Sequence, residues 1–193
     1  KLGGVLETAD SGNLAESLKE IYTLVDQTIR DTRSLVFELS PPVLYELGFE
    51  AGIDWFAERF QQEHGIHVDC EYDPVPLPLD EDMRVVLFQI VRELLVNVAK
   101  HAQAHHVRVT IRRVGSHIRI GVADNGVGFN PALLRTAKGE RSGFGLFSIR
   151  ERMNHLGGEL HIFSDARSGT RVVLRVPMKQ KRKHNGRRVF HEY

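Results

Sequence analysis

A polar stripe lies along one predicted helix that is otherwise apolar. It consists of Gln89, Glu93, Asn97 and Lys100, whose spacing of four, four and three residues places them on one side of an α-helix. A carboxylate and an amide set among apolar residues are costly unless they meet a partner. One interpretation is a solvated edge on which Glu93 and Lys100 pair weakly. The other is a surface that faces a polyphosphate and its metal, with the side-chain oxygen of Asn97 offered to Mg²⁺.

A second segment, residues 124–129, has the sequence Asp-Asn-Gly-Val-Gly-Phe and directly follows a predicted strand. Asn-Gly is a common hairpin turn, and that interpretation accounts for Gly126 but not for Gly128. Two glycines at the end of a strand let a ligand approach the backbone closely. Asp124 would then be able to accept a hydrogen bond from an exocyclic amino group.

Two more segments carry glycine directly before a predicted element. Residues 142–146, Ser-Gly-Phe-Gly-Leu, open a helix, where exposed amides and the positive end of the helix dipole favour a phosphate. The alternative there is a flexible loop. Residues 168–170, Ser-Gly-Thr, stand before the last strand and could form only a turn. Each of these segments is ambiguous when it is taken alone.

Hydrophobic periodicity predicts the elements that must position these segments. Asp80 is a candidate N-cap for the helix that carries the polar stripe. The predicted fold class is α+β: a two-layer α/β sandwich with a mostly antiparallel sheet and helices on one face, preceded by a long coiled-coil-type helix. The helices are expected at about 14–39, 49–64, 81–102 and 143–156, and the strands at about 66–72, 107–113, 117–123, 159–164 and 170–177.

The first predicted helix has the heptad pattern of a helix that packs lengthwise on a partner. Such a stripe needs a second helix, and the chain offers no obvious match for it. We therefore expect the chain to be the downstream part of a longer protein. The steps alternate between four and three residues through the apolar Leu14, Leu18, Ile21, Val25, Leu35 and Leu39, with Thr28 and Thr32 at the intermediate positions.

Composition excludes several classes of protein. A single cysteine, Cys70, excludes an internal disulfide framework and a thiolate zinc site, and no apolar run approaches the ~20 residues of a membrane span. The formal net charge of +1 divides into a basic segment at 179–193 and a body with 20 basic and 24 acidic residues. We interpret the basic segment as a solvated tail, and the body gives no sign of nucleic-acid binding.

In their order and spacing, the four segments resemble the GHKL ATPase family, whose fold is also called the Bergerat fold. That family includes histidine kinases, the gyrase and MutL ATPases and a heat-shock chaperone. The resemblance covers roughly residues 77–178. Residues 32–44 and 47–49 are similar to the second dimerisation helix and linker of NarL-type sensor histidine kinases. Residues 97–102 and 124–131 also resemble that subfamily, as does a short loop at 131–143, which would be a compact ATP lid.

The resemblance implies a role for each matching residue. Glu93 corresponds to the acidic residue that polarises the attacking group, and Asn97 to the Mg²⁺ ligand; both are expected to be catalytic. Lys100 and His101 fall where phosphates or lid residues are contacted. Asp124 corresponds to the carboxylate that reads adenine. Gly126 and Gly128 are expected under the nucleotide, and Thr170 near the adenine. The phosphate-side turn is expected at Gly143, Gly145 and Leu146. For the γ-phosphate, charge and position alone suggest Lys138 or Arg141.

The implied function is that of the ATP-binding catalytic domain of a two-component sensor histidine kinase, with ATP and Mg²⁺ as cofactors. The expected partners are a response regulator receiver domain and, in the full-length kinase, a second copy of the chain. No direct contact with nucleic acid is expected. Any contact with a membrane would be made only through segments upstream. The expected location is the cytoplasm. The division expected is a partial dimerisation helix and linker at 1–42, the ATP-binding domain at 43–178 and a disordered basic tail at 179–193.

One departure from the NarL-type pattern bears on activity. Those kinases accept the phosphoryl group on a histidine of the first dimerisation helix that is followed by an acidic residue and then by polar residues, and none of the ten histidines has that setting. We expect the acceptor to lie outside this chain, which would then not autophosphorylate alone. Two alternatives stay open: a serine kinase of the anti-sigma-factor type, and a nucleotide-sensing module without phosphotransfer.

Overall fold

The computed structural model describes residues 11–39, 41–130, 144–166 and 168–178. Five α-helices and five strands lie in these ranges. The helices are α1 (Ser11–Leu39), α2 (Pro42–Glu46), α3 (Phe49–His64), α4 (Glu81–Asn97) and α5 (Phe144–His155). The strands are β1 (His67–Tyr72), β2 (His106–Val114), β3 (His117–Asp124), β4 (Glu159–Ser164) and β5 (Thr170–Pro177).

The five strands form one sheet in the order β1-β2-β3-β5-β4. β1 pairs with β2 in parallel, and the other three pairs are antiparallel. The hairpin between β2 and β3 turns at Gly115, which has a φ of 61°, a conformation that glycine adopts without strain. The predicted α+β class and the mostly antiparallel sheet are confirmed.

The core lies between the inner face of the sheet and the helices. β2 alternates buried and more exposed residues, with Val107, Val109 and Ile111 pointing inward. α4 contributes Leu87, Ile90 and other side chains with no exposed surface, each worth about 1.5–3 kcal/mol when buried. This packing holds α4 rigidly, so that its polar stripe has a defined position relative to the sheet.

The ends of α4 are set by specific groups. Asp80 caps the first turn, with its Oδ1 accepting a hydrogen bond from the amide of Met83 at 2.8 Å, as predicted. The α-helix was predicted to reach residue 102, but it ends at Asn97 and continues as a π-helical turn, Val98–Ala102. The carbonyl oxygen of Ala102 accepts a hydrogen bond from the amide of Val127 at 2.8 Å. The π turn thus joins the end of α4 to the loop after β3.

A short helix, α2, lies where the sequence predicted only a break and a linker. Pro42 stands at its first turn, where the missing amide costs nothing because that position has no intrahelical acceptor. Leu44 has no exposed surface, and a Cβ on Gly52 would lie 2.8 Å from Leu44 Cδ1. α2 is therefore packed tightly against α3.

The long helix α1 leaves apolar side chains in solvent. Leu18, Val25 and Ile29 are 56%, 51% and 46% exposed. Two of these, Leu18 and Val25, belong to the predicted heptad stripe. No helix in the described part of the chain is long and apolar enough to cross a membrane.

Candidate nucleotide-binding site

The start of α5 lies against the polar stripe of α4. A Cβ atom on Gly145 would be 2.6 Å from Oε1 of Glu93 and 3.4 Å from both amide atoms of Asn97. The two α4 side chains are half-buried. The Nδ2 atom of Asn97 is buried without a hydrogen-bond partner among the described residues. The fold therefore brings together a carboxylate, an amide and a helix N-terminus from two of the predicted segments.

A second corner forms around Asp124 at the end of β3. Its Oδ1 accepts hydrogen bonds from the amides of Gly126 at 2.9 Å and Thr170 at 3.2 Å. Both bonds use the same carboxylate oxygen and leave Oδ2 without a part in them. The Thr170 hydroxyl lies 3.0 Å from Ser164 Oγ. The loop after β3 and the first residue of β5 thus meet at one carboxylate.

The glycines around this corner are required by close approach of the backbone. A Cβ on Gly126 would be 2.2 Å from the carbonyl oxygen of Ala102. Gly169 has a φ of 74°, and its Cβ would be 2.1 Å from the carbonyl oxygen of Asp124. A Cβ on Gly128 would likewise be 2.1 Å from the carbonyl oxygen of Asp165. Packing within the protein is therefore a sufficient reason for glycine at these positions.

Asn125 holds the loop after β3 in place, a role that the sequence pattern does not predict. Its Oδ1 accepts hydrogen bonds from the amides of His105 at 3.0 Å and His106 at 3.1 Å, and its own amide donates to the His106 carbonyl oxygen. Gly126 lacks the positive φ of a type I′ turn, so the Asn-Gly pair is not a hairpin. The bonds from Asn125 reach residues 19 and 20 positions earlier in the chain, so no local pattern could have indicated them.

Ser164 was also missed. Its hydroxyl oxygen accepts a hydrogen bond from the amide of Phe129 at 2.8 Å and donates to the Gly169 carbonyl oxygen at 3.1 Å. One side chain therefore ties the loop after β3 to the turn before β5. Ser164 is the last residue of β4, and the residues around it give no sign that its hydroxyl joins two loops.

The remaining predicted residues are less closely connected to these two corners. Lys100 and His101 are exposed on the π turn, and the side chain of neither forms a hydrogen bond or ion pair to another described residue. Leu146 is half-buried and packs against the core. The other three, Lys138, Arg141 and Gly143, lie outside the residues that the structure describes.

Comparison with known proteins identifies the family to which these two corners belong. Residues 83–180 match the family described as histidine kinase-, DNA gyrase B-, and HSP90-like ATPase. The chain belongs to this ATPase family. The matched range spans the polar stripe, the Asp124 corner and Thr170. Membership in an ATPase family implies ATP as the bound nucleotide, and the GHKL resemblance of the four segments is confirmed.

Two relatives narrow the comparison to histidine kinases. The chain is 32% identical over 169 residues to the oxygen sensor histidine kinase NreB of Staphylococcus carnosus (strain TM300), which covers 88% of this chain and 48% of NreB. It is 32% identical over 166 residues to the signal transduction histidine-protein kinase/phosphatase DegS of Brevibacillus brevis, covering 84% and 42%. The chain therefore spans less than half the length of each of these relatives.

A solved structure shares the fold. The histidine kinase domain of the blue-light activated histidine kinase from Erythrobacter litoralis EL346 superposes with a TM-score of 0.53 at 23% identity, over 68% of this chain and 62% of that one. Similarity at this level of identity establishes the architecture: the helix-on-sheet sandwich is that of a histidine kinase catalytic domain.

Proposed function

We propose that this chain is the ATP-binding catalytic part of a two-component sensor histidine kinase. In the proposed reaction, the γ-phosphoryl group of ATP passes to a histidine outside this chain and then to an aspartate on a response regulator receiver domain. The observation that carries the proposal is the contact of Gly145 with Glu93 and Asn97, inside the range that matches the ATPase family. Phosphoryl transfer depends on positioning the reactants and on stabilising the charge that the transition state distributes over the phosphoryl oxygens. This contact places the Glu93 carboxylate and the Asn97 amide, which suit these two tasks, beside the start of α5.

Glu93 and Asn97 have distinct roles in this proposal. The buried Nδ2 of Asn97 leaves its side-chain oxygen as the atom for a ligand, and Mg²⁺ prefers oxygen ligands. When bound, Mg²⁺ neutralises charge on the phosphates. The carboxylate of Glu93 polarises the attacking imidazole of the acceptor, since an anion beside the ring favours the developing positive charge.

The Asp124 corner suits recognition of the base. Oδ1 is held by two amides, so Oδ2 has a defined direction and can accept a hydrogen bond from the exocyclic amino group of adenine. We assign the Thr170 hydroxyl, steadied by Ser164, to the same end of the nucleotide. Gly126 and Gly128 would then lie beneath it.

The phosphates would lie toward α5 and the π turn. The N-terminus of α5 favours an anion through its free amides and dipole, which supports Gly143, Gly145 and Leu146 as the phosphate-side turn. We assign Lys100 and His101 to the same end. Lys138 or Arg141 would supply a further cation at the γ-phosphate.

The rest of the chain has proposed roles as well. We assign residues 1–42 to the second dimerisation helix and linker, 43–178 to the catalytic domain and 179–193 to a tail. The exposed Leu18 and Val25 on α1 support a homodimer built from helices of this type in the whole kinase. Since ATP is the phosphoryl donor, we expect the domain to act in the cytoplasm.

The test supplies the acceptor separately. The chain is incubated with Mg²⁺, γ-³²P-labelled ATP and a separate peptide carrying a first dimerisation helix with its acceptor histidine. Label on the peptide that is stable to base and lost in acid is expected, because phosphohistidine has that stability. The matched control, Glu93→Gln, should bind ATP but transfer label far more slowly. Acid-stable label on serine would favour the serine-kinase alternative, and ATP binding without transfer would favour the nucleotide-sensing module.

A further inference from the structure

Three side chains with metal-ligand chemistry lie together on the face of the sheet opposite the helices. His67 and His106 are the first residues of β1 and β2, and the parallel register sets them opposite each other. Asp69 is two residues along β1, so its side chain emerges on the same face. The register of the β1–β2 pair, and not the nucleotide site, creates this grouping.

The donor atoms already converge. His67 Nε2 lies 3.0 Å from Asp69 Oδ1, and His106 Nε2 lies 2.7 Å from Asp69 Oδ2. One donor atom from each of the three residues lies within 4.8 Å of the others. Zinc–nitrogen and zinc–oxygen bonds of about 2.0–2.2 Å put neighbouring ligand atoms of a tetrahedron about 3.3–3.6 Å apart. Small side-chain rotations would therefore bring these atoms to a shared ion.

We propose that His67, Asp69 and His106 form a three-ligand site for a divalent transition metal ion such as Zn²⁺, separate from the Mg²⁺ site proposed for the nucleotide. Two imidazoles and one carboxylate suit Zn²⁺, Cu²⁺ or Ni²⁺, whereas Mg²⁺ prefers oxygen ligands alone. The open face of the sheet leaves room for a fourth ligand from solvent. The proposal does not depend on the kinase assignment.

The surroundings keep a negative charge available to the ion. Arg108 is the register partner of Asp69 on β2, but its Nε pairs with Glu71 at 3.4 Å. Asp69 therefore has both carboxylate oxygens directed at the imidazoles. Hydrogen bonding from His106 lowers the pKa of the Asp69 carboxyl, in agreement with the geometry.

The probe is the metal alone, titrated into the whole chain with excess Mg²⁺ present. We expect one equivalent of Zn²⁺ to bind in calorimetry, and Co²⁺ to give the visible absorption of a tetrahedral site. His67→Gln, His106→Gln and Asp69→Asn should each weaken this binding at least tenfold. Melting curves of the metal-free proteins show whether each variant folds. If a histidine variant does not fold, Asp69→Asn still tests the site, because asparagine has nearly the same shape as aspartate.

The control is His161→Gln. His161 is also an exposed histidine on a strand, and its Nε2 lies 3.4 Å from Glu159 Oε2, but it belongs to no three-residue group among the residues that the structure describes. Its replacement should leave the high-affinity equivalent unchanged. Equal zinc affinity in the wild type and all three cluster variants, or an equal loss in His161→Gln, would overturn the proposal and leave only histidine–carboxylate hydrogen bonds on the sheet.

Discussion

Gly145 lies so close to Glu93 that a Cβ on the glycine would be 2.6 Å from the carboxylate Oε1. The first turn of α5 thus rests on the carboxylate of α4. Because the atom in the way is the end of a flexible side chain and not backbone, a larger residue at 145 would displace the carboxylate before it disturbed the fold. This contact therefore separates an effect on function from an effect on stability.

We expect Gly145→Ala to reduce phosphoryl transfer at least tenfold while the protein stays folded, because the new methyl group moves the Glu93 carboxylate. The measurement is the initial rate of labelling of the acceptor peptide, with a thermal melt beside it. A double-mutant cycle with Glu93→Ala supplies the control. If the two changes act through the same carboxylate, the double variant should be no slower than Glu93→Ala alone. Fully additive losses would contradict this.

Asn97→Ala should abolish the Mg²⁺-dependent part of nucleotide binding and leave the fold intact. The side chain supplies the proposed metal oxygen, while its buried Nδ2 has no hydrogen-bond partner to lose among the described residues. Titration with a non-hydrolysable ATP analogue, with Mg²⁺ and with EDTA, measures the difference. The control is Asn154→Ala, which removes the same side chain from an exposed position on α5. Unchanged affinity in Asn97→Ala would remove the metal-ligand assignment.

Asp124→Asn should weaken ATP binding far more than binding of inorganic triphosphate, because the change affects the contact with adenine. The asparagine keeps an oxygen at the Oδ1 position for the amides of Gly126 and Thr170, so the corner should stay folded. Competition titrations with both ligands give the comparison. Asp165→Asn makes the same change of charge at a nearby exposed carboxylate. Equal losses for ATP and triphosphate would show that Asp124 does not read the base.

Gly169→Ala should lower the free energy of unfolding by about 2 kcal/mol or more, because the methyl group meets backbone in a left-handed conformation. Its Cβ would be 2.1 Å from the carbonyl oxygen of Asp124. Gly115 has a similar positive φ, and no described atom beyond its chain neighbours lies within 4 Å of a new Cβ, so Gly115→Ala should cost only about 1 kcal/mol. Urea denaturation of both variants tests the difference. If both variants lost the same free energy of unfolding, the contact of the new methyl group with the Asp124 carbonyl would add nothing to the cost of the positive φ.

Cys70 should react slowly in the folded protein. Burial raises the pKa of its thiol to about 11, from an ordinary value of 9.0, and the thiolate is the reactive form. At pH 8 the thiolate fraction is therefore about 100-fold lower than in an unfolded chain. We expect alkylation by iodoacetamide, followed by mass spectrometry, to be at least tenfold slower in the native protein than in guanidinium. As pH rises from 8 to 9, the native rate should keep climbing tenfold per unit, whereas the unfolded rate begins to level off.

Local pattern was sufficient for most of the elements. α3 was predicted over the residues that it occupies, and Asp80 was predicted as the cap of α4, because apolar periodicity and capping are properties of neighbouring residues. The same reasoning missed α2, since Pro-Pro ends one helix and also opens another. It missed the π turn as well, because the hydrogen bond from Val127 to Ala102 comes from a distant segment.

Residue types and their spacing were enough to identify the candidate site groups and their order along the chain: the stripe on α4, the glycine segments and the carboxylate of Asp124. The contacts between these groups follow from the folded arrangement of the helices and the sheet. Thr170 bonds Asp124 across 46 residues, Gly145 rests on Glu93, and His67 stands opposite His106 through a parallel register. Local propensity reaches only a few residues along the chain, whereas these contacts depend on strand pairing and on the packing of helices against one core.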